Sequence, residues 1–145
     1  MADAHDPVSG SCLCGAVRFE IDQPSKWTAH CHCSVCRSAH TAALVTWTGV
    51  EEAHFRLTVG AGALRWYESS EDARRGFCPT CGSTLFFRSS RWEGEVHIAL
   101  GALHGDVEPP PAAHVFFDTH VRWVQLGDDL PRLGGESGTE PIEPR

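Results

Sequence analysis

At 145 residues, 41% apolar and 21% charged, the chain is long enough for one domain to bury an ordinary core without crosslinks. A formal charge of −7, a single lysine (Lys26) and the lack of any basic run argue against binding to nucleic acid or to an anionic membrane surface. No apolar run is long enough to span a bilayer, and the acidic start Met1–Gly10 lacks the apolar segment of a signal peptide, so a cytoplasmic location with reduced thiols is expected.

Residues 1–8 read as an N-terminal tail. Gly15–Ile21 sets Val17, Phe19 and Ile21 against Arg18 and Glu20, the period-two pattern of a half-buried strand. Residues 29–40 hold Cys31, Cys33 and Cys36 with His30, His32 and His40, and from Ser34, a suitable N-cap, to about His40 they read as a short helix. Further strand patterns follow at Ala43–Trp47, Phe55–Val59, Ala63–Tyr67, Ser83–Arg88, Val96–Leu100 and Val115–Asp118, with Gly60–Gly62 as a tight connection between two of them. Prolines 109–111 exclude a central strand there. Residues 134–145, rich in Gly, Pro and Glu with almost nothing to bury, read as a loosely held C-terminal tail. Residues 9–133 between the tails show neither linker nor internal repeat. They form a mainly β domain with one or two helical turns.

The seven cysteines divide into four plus three. Cys12 with Cys14, and Cys78 with Cys81, are two knuckles from distant segments, able to close one four-thiolate tetrahedron of the structural zinc type. Cys31, Cys33 and Cys36 form a compact group of three, which leaves one coordination position open for water or substrate. Three thiolates around zinc leave a charge of about −1, so such a centre suits sulfur chemistry better than hydrolysis. His30, His32 or His40 is an alternative fourth ligand that would make this site structural too. His32, between two cysteines on extended backbone, points away from them, and His40, one helical turn after Cys36, is the better candidate. A thioredoxin-like role for Cys78-Pro79-Thr80-Cys81 requires a helix after it, whereas Gly82–Phe87 reads as a turn into a strand. The zinc deaminase and His-Glu-x-x-His peptidase patterns are absent.

Three motifs in fixed order, Gly10-Ser-Cys-Leu-Cys-Gly-Ala-Val17, Cys31-His-Cys-Ser-Val-Cys-Arg37 and Arg75-Gly-Phe-Cys-Pro-Thr-Cys-Gly-Ser83, resemble the signature of the glutathione-dependent formaldehyde-activating enzyme family, which includes a centromere protein V branch. The resemblance continues through Leu100–Leu103, His114–Phe116, Trp123 and Asp129–Pro131. It implies an Mss4-like β-tent fold of small antiparallel sheets around a structural zinc. By position it matches Cys12, Cys14, Cys78 and Cys81 to that structural zinc, and Cys31, Cys33 and Cys36 to a catalytic zinc. The implied reaction joins formaldehyde and glutathione to S-hydroxymethylglutathione, of the carbon–sulfur lyase class. Family members often carry glycine shortly after the Cys-Arg pair, whereas Ser38–Thr41 has none. Thr41 disfavours positive φ, so the loop beside the catalytic centre is expected to differ. The acidic charge argues against a chromatin role.

Two other readings stay open. One is a non-enzymatic zinc-stabilised binding module with both sites structural. The other is a sulfoxide-reductase-like redox protein, which needs a reactive cysteine outside the metal sites. Arg37, Arg74 and Arg75 are candidates for a substrate carboxylate such as those of glutathione, against the simpler reading of surface arginines. Trp47, Trp66 and Phe77 read as core before pocket wall, and His97 as half-buried structure. His104, His114, His120, Ser69 and Ser70 receive no role.

Overall fold

Alternation and turn chemistry build a chain of short strands. In the computed structural model, which describes residues 6–142, these run β1 (Val8–Ser11), β2 (Arg18–Ile21), β3 (Trp27–Cys31), helix α1 (Ser34–His40), β4 (Val45–Glu51), β5 (Phe55–Val59), β6 (Arg65–Ser70), β7 (Ala73–Phe77), β8 (Thr84–Ser89), β9 (Glu95–Ala99), β10 (His114–Val115), β11 (Leu133–Gly134) and β12 (Glu140–Pro141). Three antiparallel strands form one sheet in the order β1-β2-β5. A second, of seven, runs β10-β3-β4-β9-β8-β7-β6, antiparallel except for the β10–β3 edge. The fold is the expected mainly β class. Among the described residues no helix is long and apolar enough to cross a membrane.

Val17, Phe19 and Ile21 are fully buried, as their alternation requires, and Phe19 meets Phe86 of β8 edge to face at 4.9 Å. This core includes Val50, Leu85, Val96 and Ile98, with Cys12 and Cys78 at its margin. The Gly60–Gly62 turn closes by a 2.9 Å hydrogen bond from Ala63 N–H to Gly60 O. Gly60 itself has φ +84 and lies where a Cβ would overlap the Ala16 carbonyl. A second, smaller core gathers Cys31, Cys36, Val45, Trp47 and Ala99. Cys12 and Cys78 thus anchor one group of cysteines in the larger core, and Cys31 and Cys36 anchor the other in the smaller one, while Cys14 is exposed.

Two sequence expectations change here. The helix spans Ser34–His40 as read, but its N-cap is Cys33, whose Sγ accepts the Cys36 N–H at 3.2 Å. The C-terminal stretch is built in rather than loose as far as residue 142: Leu133–Gly134 pairs with Glu140–Pro141, and Phe116 N–H donates to Gly138 O at 3.0 Å. Residues 143–145 of that expected tail, and 1–5 of the N-terminal one, lie outside the described residues, and Val8 already opens β1.

Candidate metal centres and the cavity beside them

The turn after β1 carries Cys12 and Cys14, and the turn between β7 and β8 carries Cys78 and Cys81. Folding brings these four Sγ atoms within 4.8 Å of one another. Cys12 and Cys14 sulfurs are 3.7 Å apart, and Cys14 and Cys78 sulfurs 3.8 Å. Zinc–sulfur bonds of about 2.3 Å directed to tetrahedral corners set sulfurs about 3.8 Å apart, so the donor set and spacing fit that ion. The backbone prepares the site: Val17 N–H donates to Cys12 Sγ at 3.3 Å, and a turn from Gly82 N–H to Cys78 O at 2.7 Å folds the second knuckle. The Ser83 hydroxyl hydrogen-bonds Cys81 Sγ at 3.3 Å and is chiefly responsible for holding the Cys81 thiol down at about 5. All seven cysteines are free thiols, and Cys78–Cys81 leads into strand β8, without the helix a redox pair would use.

Cys31 ends β3, Cys33 caps α1 and Cys36 lies in its first turn, and their sulfurs also fall within 4.8 Å of one another. Cys31 and Cys36 are separated by 3.7 Å, the zinc-type tetrahedral edge again. Hydrogen bonds from Cys31 and Cys36 hold the Cys33 thiol down at about 2, while the Cys31 thiol, bonded to Cys33 and Cys36 and buried, is pushed far up. Three thiols this close readily release one proton, and a divalent cation would take the place of the others.

Arg75, one of the three arginines offered above for a substrate carboxylate, faces this charge instead. Arg75 is 6% exposed, and its two terminal nitrogens donate to Cys36 Sγ at 3.6 and 3.7 Å, while its Nε donates to Ser69 Oγ at 3.2 Å. It is neither a surface arginine nor free for a substrate carboxylate. The Arg-x-Phe-Cys spacing puts it on the strand entering the Cys78 knuckle. Arg37 donates to the carbonyls of His32 and Thr119, a structural role, and Arg74 lies exposed over the Trp66 ring at 4.9 Å.

The histidines stay outside the three-cysteine group. His40 packs edge-on against Trp47 at 5.2 Å, and burial pushes it down to about 4. His32 points to the opposite side of β3, where its Nε2 meets His114 Nδ1 at 2.8 Å. His114, 1% exposed, holds Asp128 at 3.0 Å through Nε2 and is stacked by His30 at 4.8 Å. His30, His114 and Asp128 also bring ligand atoms within 4.8 Å. Asp128, however, already accepts from His114, Arg132 and the Leu130 N–H, and His30 Nδ1 is engaged with Thr46. This chain, which joins β10 to the segment before β11, had no sequence signal because its members are 14 and 82 residues apart.

Thr41 does not avoid the left-handed region. Its φ and ψ are 50° and 52°, where it closes α1 with hydrogen bonds from Thr41 N–H to Ser38 O and from Ala42 N–H to Arg37 O.

Cys31, Cys33 and Cys36 line one side of a cavity of about 430 Å³. Its walls include Trp27, Trp47, Phe87, Trp92 and Phe116. His97 lines it too, buried rather than half-buried, held by Glu95 at 3.0 Å and stacked on Phe87. Trp47 is therefore both core and wall, whereas Trp66 packs on the larger core and Phe77 faces a shallower hollow.

Known proteins are similar to this chain in sequence and fold. A Halomonas elongata protein, provisionally named a glutathione-dependent formaldehyde-activating enzyme, is 29% identical over 126 residues, 82% of this chain and 80% of that one. An uncharacterized lyase of Schizosaccharomyces pombe is 31% identical over 80 residues, 54% of this chain and 55% of its own. A crystal structure of a Rhodobacter sphaeroides protein matches with a TM-score of 0.59 at 25% identity, covering 69% of this chain and 91% of that chain. The sequence model of the glutathione-dependent formaldehyde-activating enzyme family matches residues 7–119, which contain every cysteine described above. By that match the chain belongs to the glutathione-dependent formaldehyde-activating enzyme family.

Proposed function

We propose that this protein is a cytoplasmic zinc enzyme of the carbon–sulfur lyase type, acting on a small thiol adduct of the S-hydroxymethylglutathione kind. In this reading Cys12, Cys14, Cys78 and Cys81 hold a structural zinc. Cys31, Cys33 and Cys36 would hold a second zinc, which would supply Lewis acidity for the substrate sulfur. The observation that carries the reading is the difference between the two groups. Four sulfurs gather within 4.8 Å of one another at one, whereas at the other three sulfurs within the same distance line a cavity.

In the lyase direction the carbon–sulfur bond of the adduct breaks with its electron pair going to sulfur, while the hydroxyl proton passes to water as the formaldehyde carbonyl forms. The reverse adds a thiolate to the formaldehyde carbon, and the oxygen takes a proton back from water. Arg75 offsets the negative charge that gathers on the sulfurs, and the ring-lined cavity keeps bulk water from them. The membership of the family and the names of the two relatives support this chemistry.

Zinc content and adduct turnover, measured against the uncatalysed blank, test it in wild type and Cys33→Ser. Two zincs per chain are expected in the wild type, one of them displaced or exchanged when glutathione is added. The variant should keep its fold, because a serine hydroxyl caps a helix as well as a thiol, while losing one zinc and its activity. Two zincs that resist added thiol, with no turnover above the blank, would instead make the protein a zinc-stabilised binding module.

A further inference from the structure

We infer that the thiol this site prefers carries a flat aromatic group next to its sulfur, and that glutathione, a charged tripeptide, is accepted there more weakly. The inference rests on the sulfur chemistry proposed for Cys31, Cys33 and Cys36 and names the substrate class for that same site.

Glutathione presents two carboxylates and an ammonium group, each of which needs a partner once it leaves water. Among the described residues lining the cavity only two are cationic, Arg75 and Arg91. Arg75 is already committed to Cys36 and Ser69 and lies over the Phe87 ring at 4.9 Å. Arg91 is exposed at the mouth, over the Trp92 ring at 5.1 Å. Asp72, also on the lining, would repel a carboxylate. What the walls offer in quantity is ring surface, from Trp27, Trp47, Phe87, Trp92 and Phe116, which favours offset or edge-on packing of another ring. With protein cations already over two of these rings, an aromatic cage for a cationic ligand is disfavoured.

A second observation concerns how one wall is made. Phe116 holds φ 52°, a region that a bulky residue rarely adopts, and strain of this kind collects at ligand sites. It is pinned there from behind. Its N–H donates to Gly138 O, and Gly138, at φ +78, lies where a Cβ would overlap the Phe116 ring. Ser137 and Thr139 on either side of that glycine line the cavity as well, and this hairpin lies beyond residues 7–119 matched by the family. The wall that narrows the site toward a ring is thus supported by a part of the chain outside the shared segment.

Calorimetric titration of the zinc-loaded protein tests the inference with benzyl mercaptan, glutathione, 2-mercaptoethanol and benzyl alcohol. Benzyl mercaptan should bind at least about ten-fold more tightly than glutathione or 2-mercaptoethanol, from burial of one ring. Trp92→Ala should remove most of that advantage, with Trp92→Phe retaining it. Glutathione binding as tightly as benzyl mercaptan would overturn the substrate class while leaving the sulfur site standing. Benzyl alcohol binding as tightly as benzyl mercaptan would overturn the sulfur reading beneath it.

Discussion

Arg75 shows how one side chain can decide whether a cluster of thiols is a workable centre. Three thiolates and a divalent cation leave about one negative charge, and the buried Arg75 guanidinium, which donates to Cys36 and Ser69, supplies the opposite one. Charge-assisted hydrogen bonds of this kind are worth about 1.5–3 kcal/mol. Arg75→Met, similar in length but unable to donate, should therefore weaken zinc at Cys31, Cys33 and Cys36 by about ten- to a hundred-fold in chelator competition. Zinc at the four-cysteine group should be unaffected, and Arg75→Lys should restore only part, since it lacks the planar fork. Thr41 is the other residue where local rules yield. Helix closure through Ala42 N–H and Arg37 O requires a left-handed residue, and this demand outweighs the β-branched preference. Thr41→Gly should raise stability by about 1 kcal/mol, read as a higher urea midpoint with unchanged slope.

At the scale of elements, legibility followed periodicity. β5 and α1 were readable residue for residue, because their apolar spacing and flanking turns are local signals. β3 and β7 were not: Trp27–Cys31 and Ala73–Phe77 are specified by pairing in the middle of a sheet, with metal-type or cationic side chains where alternation would place apolar ones. The C-terminal hairpin was illegible for a different reason. Its composition has the mark of disorder, yet Gly134, Gly135 and Gly138 are used for close approach and positive φ rather than flexibility. Gly138→Ala tests that use. The added methyl meets the Phe116 ring at a backbone conformation unfavourable to alanine, so the hairpin should detach at a cost of about 1–3 kcal/mol. Amide exchange at Phe116 and Gly134 should accelerate while β8 and β9 stay protected, because the larger core lies elsewhere.

The molecule as a whole joins two cores, each with a sulfur group beside it, and the grouping of the cysteines into four and three was legible from their spacing alone. What spacing could not give was the surroundings: Arg75, the ring-lined cavity and the His32–His114–Asp128 chain are long-range products of the sheet. The four-cysteine group ties a turn of the three-stranded sheet to a turn of the seven-stranded one, so metal there would be part of the folding free energy. The three-cysteine group lies on consecutive elements, β3 and α1, which are already held by the β3–β4 ladder. Cys81→Ser should accordingly lower stability by several kcal/mol and loosen both sheets, whereas Cys33→Ser should unfold close to wild type. Thermal unfolding of the two variants at equal zinc loading decides the matter, with chelation as a second route to the same comparison. Equal destabilisation by both changes would mean that neither group is reserved for chemistry, and that the cavity opens onto a second structural clasp.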